Sequence, residues 1–179
     1  MMVMLAAALL IEAGALEGGQ LAHDEVDEFA LQIVEACGEG PLSPPTGTKC
    51  LAAAVAIWAT ETRGNFTVFP KTGTGCGVMQ VAQPSRCFKN TRLGRQCAQP
   101  CTALRMTRLG LEWGVRVLRW KRQRARSMAH AFRKYNASGA VVKCSYRAGR
   151  RLKGKSRPRY VCYGAAASRL YQRLLRGRN

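Results

Sequence analysis

Residues 49–81, KCLAAAVAIWATETRGNFTVFPKTGTGCGVMQV, decide how the chain is read. The first half predicts a helix. Leu51, Val55, Trp58 and Thr62 recur at helical spacing and form an apolar stripe, Thr46 or Thr48 is placed to cap the start, and Gly64 and Asn65 stop it. The second half, 65–83, is rich in glycine and threonine with two short apolar runs, which predicts a small antiparallel strand pair or irregular loops. Between them stands Glu61, beside the stripe and one turn from Trp58. From Gly40 onward the chain has two carboxylate side chains, Glu61 and Glu112. An acid at a helix C-terminus faces an unfavourable dipole, and an adjacent indole reduces its hydration. Both effects raise its expected pKa, which suits a group that carries a proton near neutral pH.

The charge distribution divides the chain in two. Residues 1–39 carry eight acids and no Lys or Arg, a net −8; residues 40–179 carry all 29 bases and two acids, a net +27. The expected organisation is an acidic helical N-terminal extension over 1–40, a Pro-rich linker over 41–47 (PLSPPTG) and a helical domain over 48–179. The strongly basic part attracts polyanions: nucleic acid, anionic wall polymer or lipopolysaccharide. The opening MMVMLAAALLI has no basic n-region and meets Glu12 after eleven residues, too soon for a membrane span. It is expected as a short apolar helix packing on the domain or on a partner, with no transmembrane segment.

Further helices follow from periodicity. Asp24 is an N-cap candidate ahead of Val26, Phe29 and Ile33, a helix ending near Cys37–Gly38. A long helix over about 102–124 has Leu104, Leu111, Val115 and Leu118 inward, with Gly110 and Gly114 admitting a close neighbour. Ser127 caps another, with Met128, Phe132 and Tyr135 on one face, and a last helix over 164–176 turns Leu170, Tyr171 and Leu174 inward. RAGRRLKGKSRPRY (147–160), seven bases without an acid, reads as an exposed hairpin or loop. The fold class is mainly α with at most a small β element.

Eight cysteines at even count favour disulfides and a destination outside a reducing cytosol. Loop spacing selects Cys37–Cys50 and Cys144–Cys162. Cys76, Cys87, Cys97 and Cys101 either complete the set or bind zinc, although there is no CxxC among them. A Ser/His or Cys/His hydrolase has no support in the spacing of His23 and His130, and no phosphate-binding GxxxxGK occurs. No cofactor or resident metal is implied.

Four segments together resemble the soluble lytic transglycosylase family of the lysozyme-like superfamily. The helix ending in Ala-Thr-Glu-Thr (59–62) followed by Gly-Val-Met-Gln-Val (77–81) is similar to that family's Glu-Ser and Gly-Leu-Met-Gln motifs. Gly114-Val115-Arg116-Val117-Leu118 is similar to its Gly-Val-x-Tyr-Leu helix, and FRKYNA (132–137) to its Ala-Tyr-Asn-Ala-Gly motif. The pieces occur in family order over residues 50–175. The resemblance implies an α+β lysozyme-like fold and cleavage of peptidoglycan between N-acetylmuramic acid and N-acetylglucosamine, with a 1,6-anhydro product. It makes Glu61 the single acid/base, has Met79 and Gln80 line the sugar groove, and sets Tyr135 with Asn136 across from Glu61.

The departures from the family pattern are specific. Thr62 replaces the serine that follows the glutamate, and Gly139 stands one place beyond the family's glycine. The serine that binds the acetamido region has no counterpart, leaving Thr72 or Thr74 for that contact. Goose-type lysozymes share the fold and hydrolyse, so the product stays open. A one-glutamate site fits N-acetyl sugars, whose acetamido oxygen can do the work of a second carboxylate; Glu112 is the other carboxylate available, or a surface acid. The expected setting is a bacteriophage virion, tail or ejected component. There, 1–40 docks to other virion proteins, peptidoglycan glycan strands are the substrate, and an anionic envelope polymer is a further partner. The rival is a non-catalytic basic structural or nucleic-acid-binding protein.

Overall fold

The computed structural model describes residues 1–17, 23–38, 44–64, 75–82, 104–105, 107–136, 146–147, 160–161 and 163–177. Six helices account for most of them: α1 (Met2–Glu17), α2 (His23–Gly38), α3 (Gly47–Thr62), α4 (Thr107–Gln123), α5 (Met128–Asn136) and α6 (Tyr163–Arg176). The architecture is mainly α. Strand pairing among the described residues is confined to two antiparallel ladders. β1 (Gly75–Cys76) pairs with β2 (Val81–Ala82), and β3 (Tyr146–Arg147) with β4 (Tyr160–Val161). The first ladder is the small strand pair expected within 65–83; the basic run expected as a hairpin or loop, 148–159, lies outside the described residues.

α3 is the axis of the fold. It begins after Thr46, whose backbone is extended and whose carbonyl accepts the Cys50 N–H at 3.2 Å; the Thr46 side chain makes no capping bond. Every residue from Cys50 to Thr60 is buried. This corrects the expectation of a single stripe. Leu51, Val55, Trp58 and Thr62 are buried, but so are the residues between them. The reason is side-chain size. Ala52, Ala53, Ala54, Ala56 and Ala59 present little more than backbone on the remaining faces, so α1, α2, α4 and α6 all pack against α3. Trp58 lies against Phe29 of α2, ring centroids 5.4 Å apart and tilted. Each large aliphatic or aromatic side chain so enclosed stabilises the fold by roughly 1.5–3 kcal/mol.

The N-terminal helices belong to this same core. Ala6, Leu9, Leu10 and Ala13 of α1 and Val26, Phe29, Ala30 and Ile33 of α2 are buried in one cluster with the residues of α3, α4, α5 and α6. α2 begins at His23, so Asp24 falls inside its first turn and not at the cap. Cys37, at the end of α2, forms a disulfide with Cys50 in the first turns of α3, as loop spacing predicts. The Cys37 carbonyl accepts a hydrogen bond from the buried guanidinium of Arg119 on α4. Burial first, and then the neighbouring Arg116 cation, lower the Arg119 pKa. Cys144, Cys162, Cys87, Cys97 and Cys101 lie outside the described residues; Cys76 is disulfide-bonded and so is not available as a zinc ligand.

α4 starts at Thr107, later than the expected 102. Leu104 precedes it as a fully buried side chain, and its carbonyl fits against two glycines: a Cβ on Gly77 would stand 2.0 Å from that oxygen and one on Gly110 2.6 Å. Ser127 caps α5 as expected, its hydroxyl oxygen accepting the His130 N–H at 3.2 Å. Leu170, Tyr171 and Leu174 of α6 are buried, with Tyr171 edge-on to Phe132 of α5. No helix among the described residues is long and apolar enough to cross a membrane.

The disulfide joins two helix ends 13 residues apart in sequence. Replacing both partners, Cys37→Ser with Cys50→Ser, is expected to lower unfolding stability by about 2–4 kcal/mol. Denaturant unfolding under non-reducing conditions measures it, and an unchanged midpoint would remove the bond from the account of stability.

Candidate functional site

Glu61 sits in the last turn of α3 and is half-buried, the first residue after the fully enclosed run. The helix stops just past it in a Schellman-type turn. Arg63 takes the left-handed conformation (φ 57°), and the Gly64 N–H returns to the Ala59 carbonyl at 3.2 Å. The expected stop at Gly64 is thus displaced by one residue, with a packing cause. A Cβ on Gly64 would lie 2.9 Å from the Cα of Gly14 on α1, so this position needs glycine for the close approach of two backbones as well as for its own positive φ.

The Gly-Val-Met-Gln-Val segment forms the turn between β1 and β2. Its geometry is fixed at several points. The Gln80 N–H and the Gln80 side-chain amide both donate to the Gly77 carbonyl, at 3.0 and 2.7 Å. Gln80 takes a left-handed backbone (φ 47°), a conformation that costs about 1–2 kcal/mol outside glycine. Its folded-back side chain occupies the space a Cβ on Gly75 would need. Met79 is fully buried and packs on the bare backbone of Gly114 in α4, where a Cβ would stand 2.4 Å from the Met79 Cβ. The expected close approach at Gly114 is therefore real, and its partner is the Met79 side chain.

Tyr135, at the end of α5, completes the group. It is buried, and its hydroxyl donates to the Met79 carbonyl at 2.8 Å. Burial pushes the phenol well above the ordinary tyrosine range, and the negative charge of Glu61 pushes it further the same way. Glu61 and Tyr135 are thus near enough to interact electrostatically, and the phenol stays a hydrogen-bond donor at all ordinary pH.

Two expected substrate contacts are corrected at the level of the side chain. Met79 faces the core and not a groove; its main-chain carbonyl is the group engaged. Thr62 keeps the hydroxyl of the serine it replaces, but donates it to the Trp58 carbonyl of its own helix at 2.8 Å and is buried. Gln80 is partly exposed beside the turn. Asn136 ends α5, while Thr72 and Thr74 lie outside the described residues. Glu112 is paired with Arg108 at 3.2 Å, and its side chain is largely covered, unlike that of a plain surface acid. No group of three or more His, Cys, Asp or Glu among the described residues is arranged to hold a metal ion.

Sequence reasoning missed Gly75, which the turn requires, the role of the motif residue Gly77 against the Leu104 carbonyl, and Arg63 as the left-handed residue. The Gly-Cys-Gly spacing ahead of Val78 was an available signal for the first two.

Comparison with known protein families, with characterised proteins and with solved structures finds no match for the chain.

Two outcomes follow from this geometry. Gly114→Ala forces Met79 out of contact distance and is expected to destabilise the chain by about 1–3 kcal/mol, read from thermal or denaturant unfolding. Folded Tyr135 holds its proton more tightly than the unfolded chain does. Its contribution to stability is therefore complete below the ordinary tyrosine value of about 10 and is lost as pH rises through and above it. In an ultraviolet titration Tyr135 should ionise only with unfolding, and Tyr135→Phe should delete that late step; a Tyr135 that titrates near 10 in the folded protein would contradict its enclosure.

Proposed function

We propose that the chain is a peptidoglycan-cleaving lytic transglycosylase of the soluble family it resembles in sequence, with Glu61 as its single acid/base. The observation that carries this reading is the meeting of the four motif segments. Glu61 ends the buried helix α3, and its charge bears on the Tyr135 hydroxyl. That hydroxyl is bonded to the Met79 carbonyl, 56 residues away in sequence, while Met79 rests on Gly114.

In this mechanism the protonated Glu61 gives its proton to the glycosidic oxygen between N-acetylmuramic acid and N-acetylglucosamine as the bond from the anomeric carbon breaks. The acetamido carbonyl oxygen of the sugar stabilises the electron-poor anomeric carbon, which supplies the role of a second carboxylate. The 6-hydroxyl of the same sugar then attacks that carbon while ionised Glu61 takes its proton. The 1,6-anhydro ring closes, and Glu61 is again protonated. Water attacking in place of the hydroxyl gives the lysozyme product with the same residue. Burial of α3 up to Thr60 serves the mechanism by fixing where the carboxyl stands.

The setting that fits is a bacteriophage particle, acting on the host cell wall. A buried disulfide suits a protein that works outside a reducing cytosol, and the acidic segment 1–40 suits attachment to other particle proteins.

Glu61→Gln is expected to lower clearing of purified peptidoglycan by at least about a hundredfold with unchanged thermal unfolding. Mass spectrometry of the wild-type digest should give anhydro-ended muropeptides. Reducing ends would make the protein a lysozyme. Clearing retained in the variant would remove Glu61 from catalysis. No wall activity, together with salt-sensitive binding to DNA, would make the chain a basic nucleic-acid-binding protein.

A further inference from the structure

The corner where α4 runs into α5 carries a cation cluster with no carboxylate partner among the described residues. After Glu112 the chain has no carboxylate side chain at all, and 20 of its 29 Lys and Arg residues fall in that stretch. Within it Lys121 Nζ and Arg124 Cζ each lie 4.6 Å from the ring centroid of Trp120. Lys134 of α5 donates to the Arg124 carbonyl, and Arg122 to the Ala125 carbonyl at 2.7 Å. The cations are held by an indole and by main-chain oxygens, so their positions are set without their charge being neutralised.

The crowding bears on Lys121. Its pKa is lowered by burial first and then by the Lys134 and Arg124 cations. The ion pairs seen among the described residues, Arg108 with Glu35 and Glu112 and Arg173 with Glu12, are formed elsewhere. Mutual repulsion of fixed like charges is unfavourable to folding, and an anion bound there would offset it.

The chemistry of the corner selects its ligand. Guanidinium and ammonium groups present only donors, and guanidinium matches a phosphate oxygen pair. The Trp120 ring is partly buried and carries both cations, so what the corner presents outward is charge. α5 also joins the corner to the site, since Lys134 immediately precedes Tyr135. A polymer of phosphates gripped here is thereby held on the helix that serves Glu61.

We infer that Lys121, Arg124 and Lys134 form a phosphodiester-binding surface, and that the preferred substrate is peptidoglycan carrying covalently attached polyol-phosphate chains. The inference rests on the peptidoglycan reading above, deepening it to a class of wall. The corner acts as a holding surface and not as part of the reacting group. Its ligand is a repeating phosphate, read through charge and spacing.

The test uses binding, so that it is separate from catalysis. The full chain is sedimented with insoluble peptidoglycan bearing its polyol-phosphate chains and with the same material stripped of them. Wild-type protein and Glu61→Gln should both bind the decorated wall at least about tenfold more tightly, with a steep loss on adding salt. Lys121→Gln with Arg124→Gln should abolish most of that preference while binding to stripped wall is unchanged. Arg169→Gln with Arg176→Gln on α6 removes the same charge from another exposed surface and should leave the preference largely in place. Equal binding to the two walls overturns the inference. Equal loss from the two double variants also overturns it, by reducing the effect to net charge. Tighter binding to duplex DNA than to decorated wall reassigns the surface to nucleic acid and equally overturns it. None of these results bears on Glu61, whose failure would show in the clearing assay alone.

Discussion

The constraint on which the structure depends is that α3 must be enclosed from all sides. A helix built of five alanines between Cys50 and Thr60 has little side chain with which to fill space, so its neighbours must come close and bring the bulk. Leu9 and Leu10, Phe29 and Ile33, Leu118, and Leu174 do so from four different helices. Closely packed interiors have low compressibility and resist displacement. A carboxyl placed where that enclosure ends inherits a fixed backbone without losing contact with solvent. Glu61 stands at that border.

The second requirement is to bring a turn and a distant phenol to that carboxyl. Glycines do this by absence. Gly77 and Gly110 make room for the Leu104 carbonyl, Gly114 for Met79, and Gly75 for the side chain of Gln80. Once Met79 is seated on α4, its carbonyl is presented to Tyr135, and the end of α5 is tied to the β1–β2 turn by a hydrogen bond. The charge distribution works on a longer scale. The acidic N-terminal helices and the basic remainder share one hydrophobic cluster, so the two signs of charge are carried by a common core.

Much of this was legible in the sequence and some was not, for physical reasons. Helix identity was readable because periodic apolar residues mark a buried face, and Ser127 announced a cap through its own side chain. The environment of α3 was misread because alanine is compatible with either surface or core; periodicity registers the large residues and says nothing of what approaches the small ones. Gly110 and Gly114 were legible as sites of close approach. Their partners lay far along the chain, and only the fold shows that Met79 fills one. The Met79 carbonyl and the Leu104 carbonyl carry no sequence signature, since every residue has one. Thr62 kept the expected hydroxyl and spent it on its own helix, a choice set by rotamer and not by residue type. Arg119 was not singled out in the sequence, yet it is buried and donates to the Cys37 carbonyl. The segments around Thr72, Thr74 and Asn136 owe their assignments to resemblance alone.

The backbone crossing of Gly14 and Gly64 has a consequence for how such a chain can change over time. A methyl group at position 64 has no room unless α1 retreats, and α1 cannot retreat without withdrawing Leu10 and Ala13 from the cluster that encloses α3. Positions 14 and 64 are therefore locked together as a pair, and single drift at residue 64 meets a steric wall. The first helix of the chain, far from Glu61 in sequence, thus sets the genetic tolerance of the turn that ends at its side.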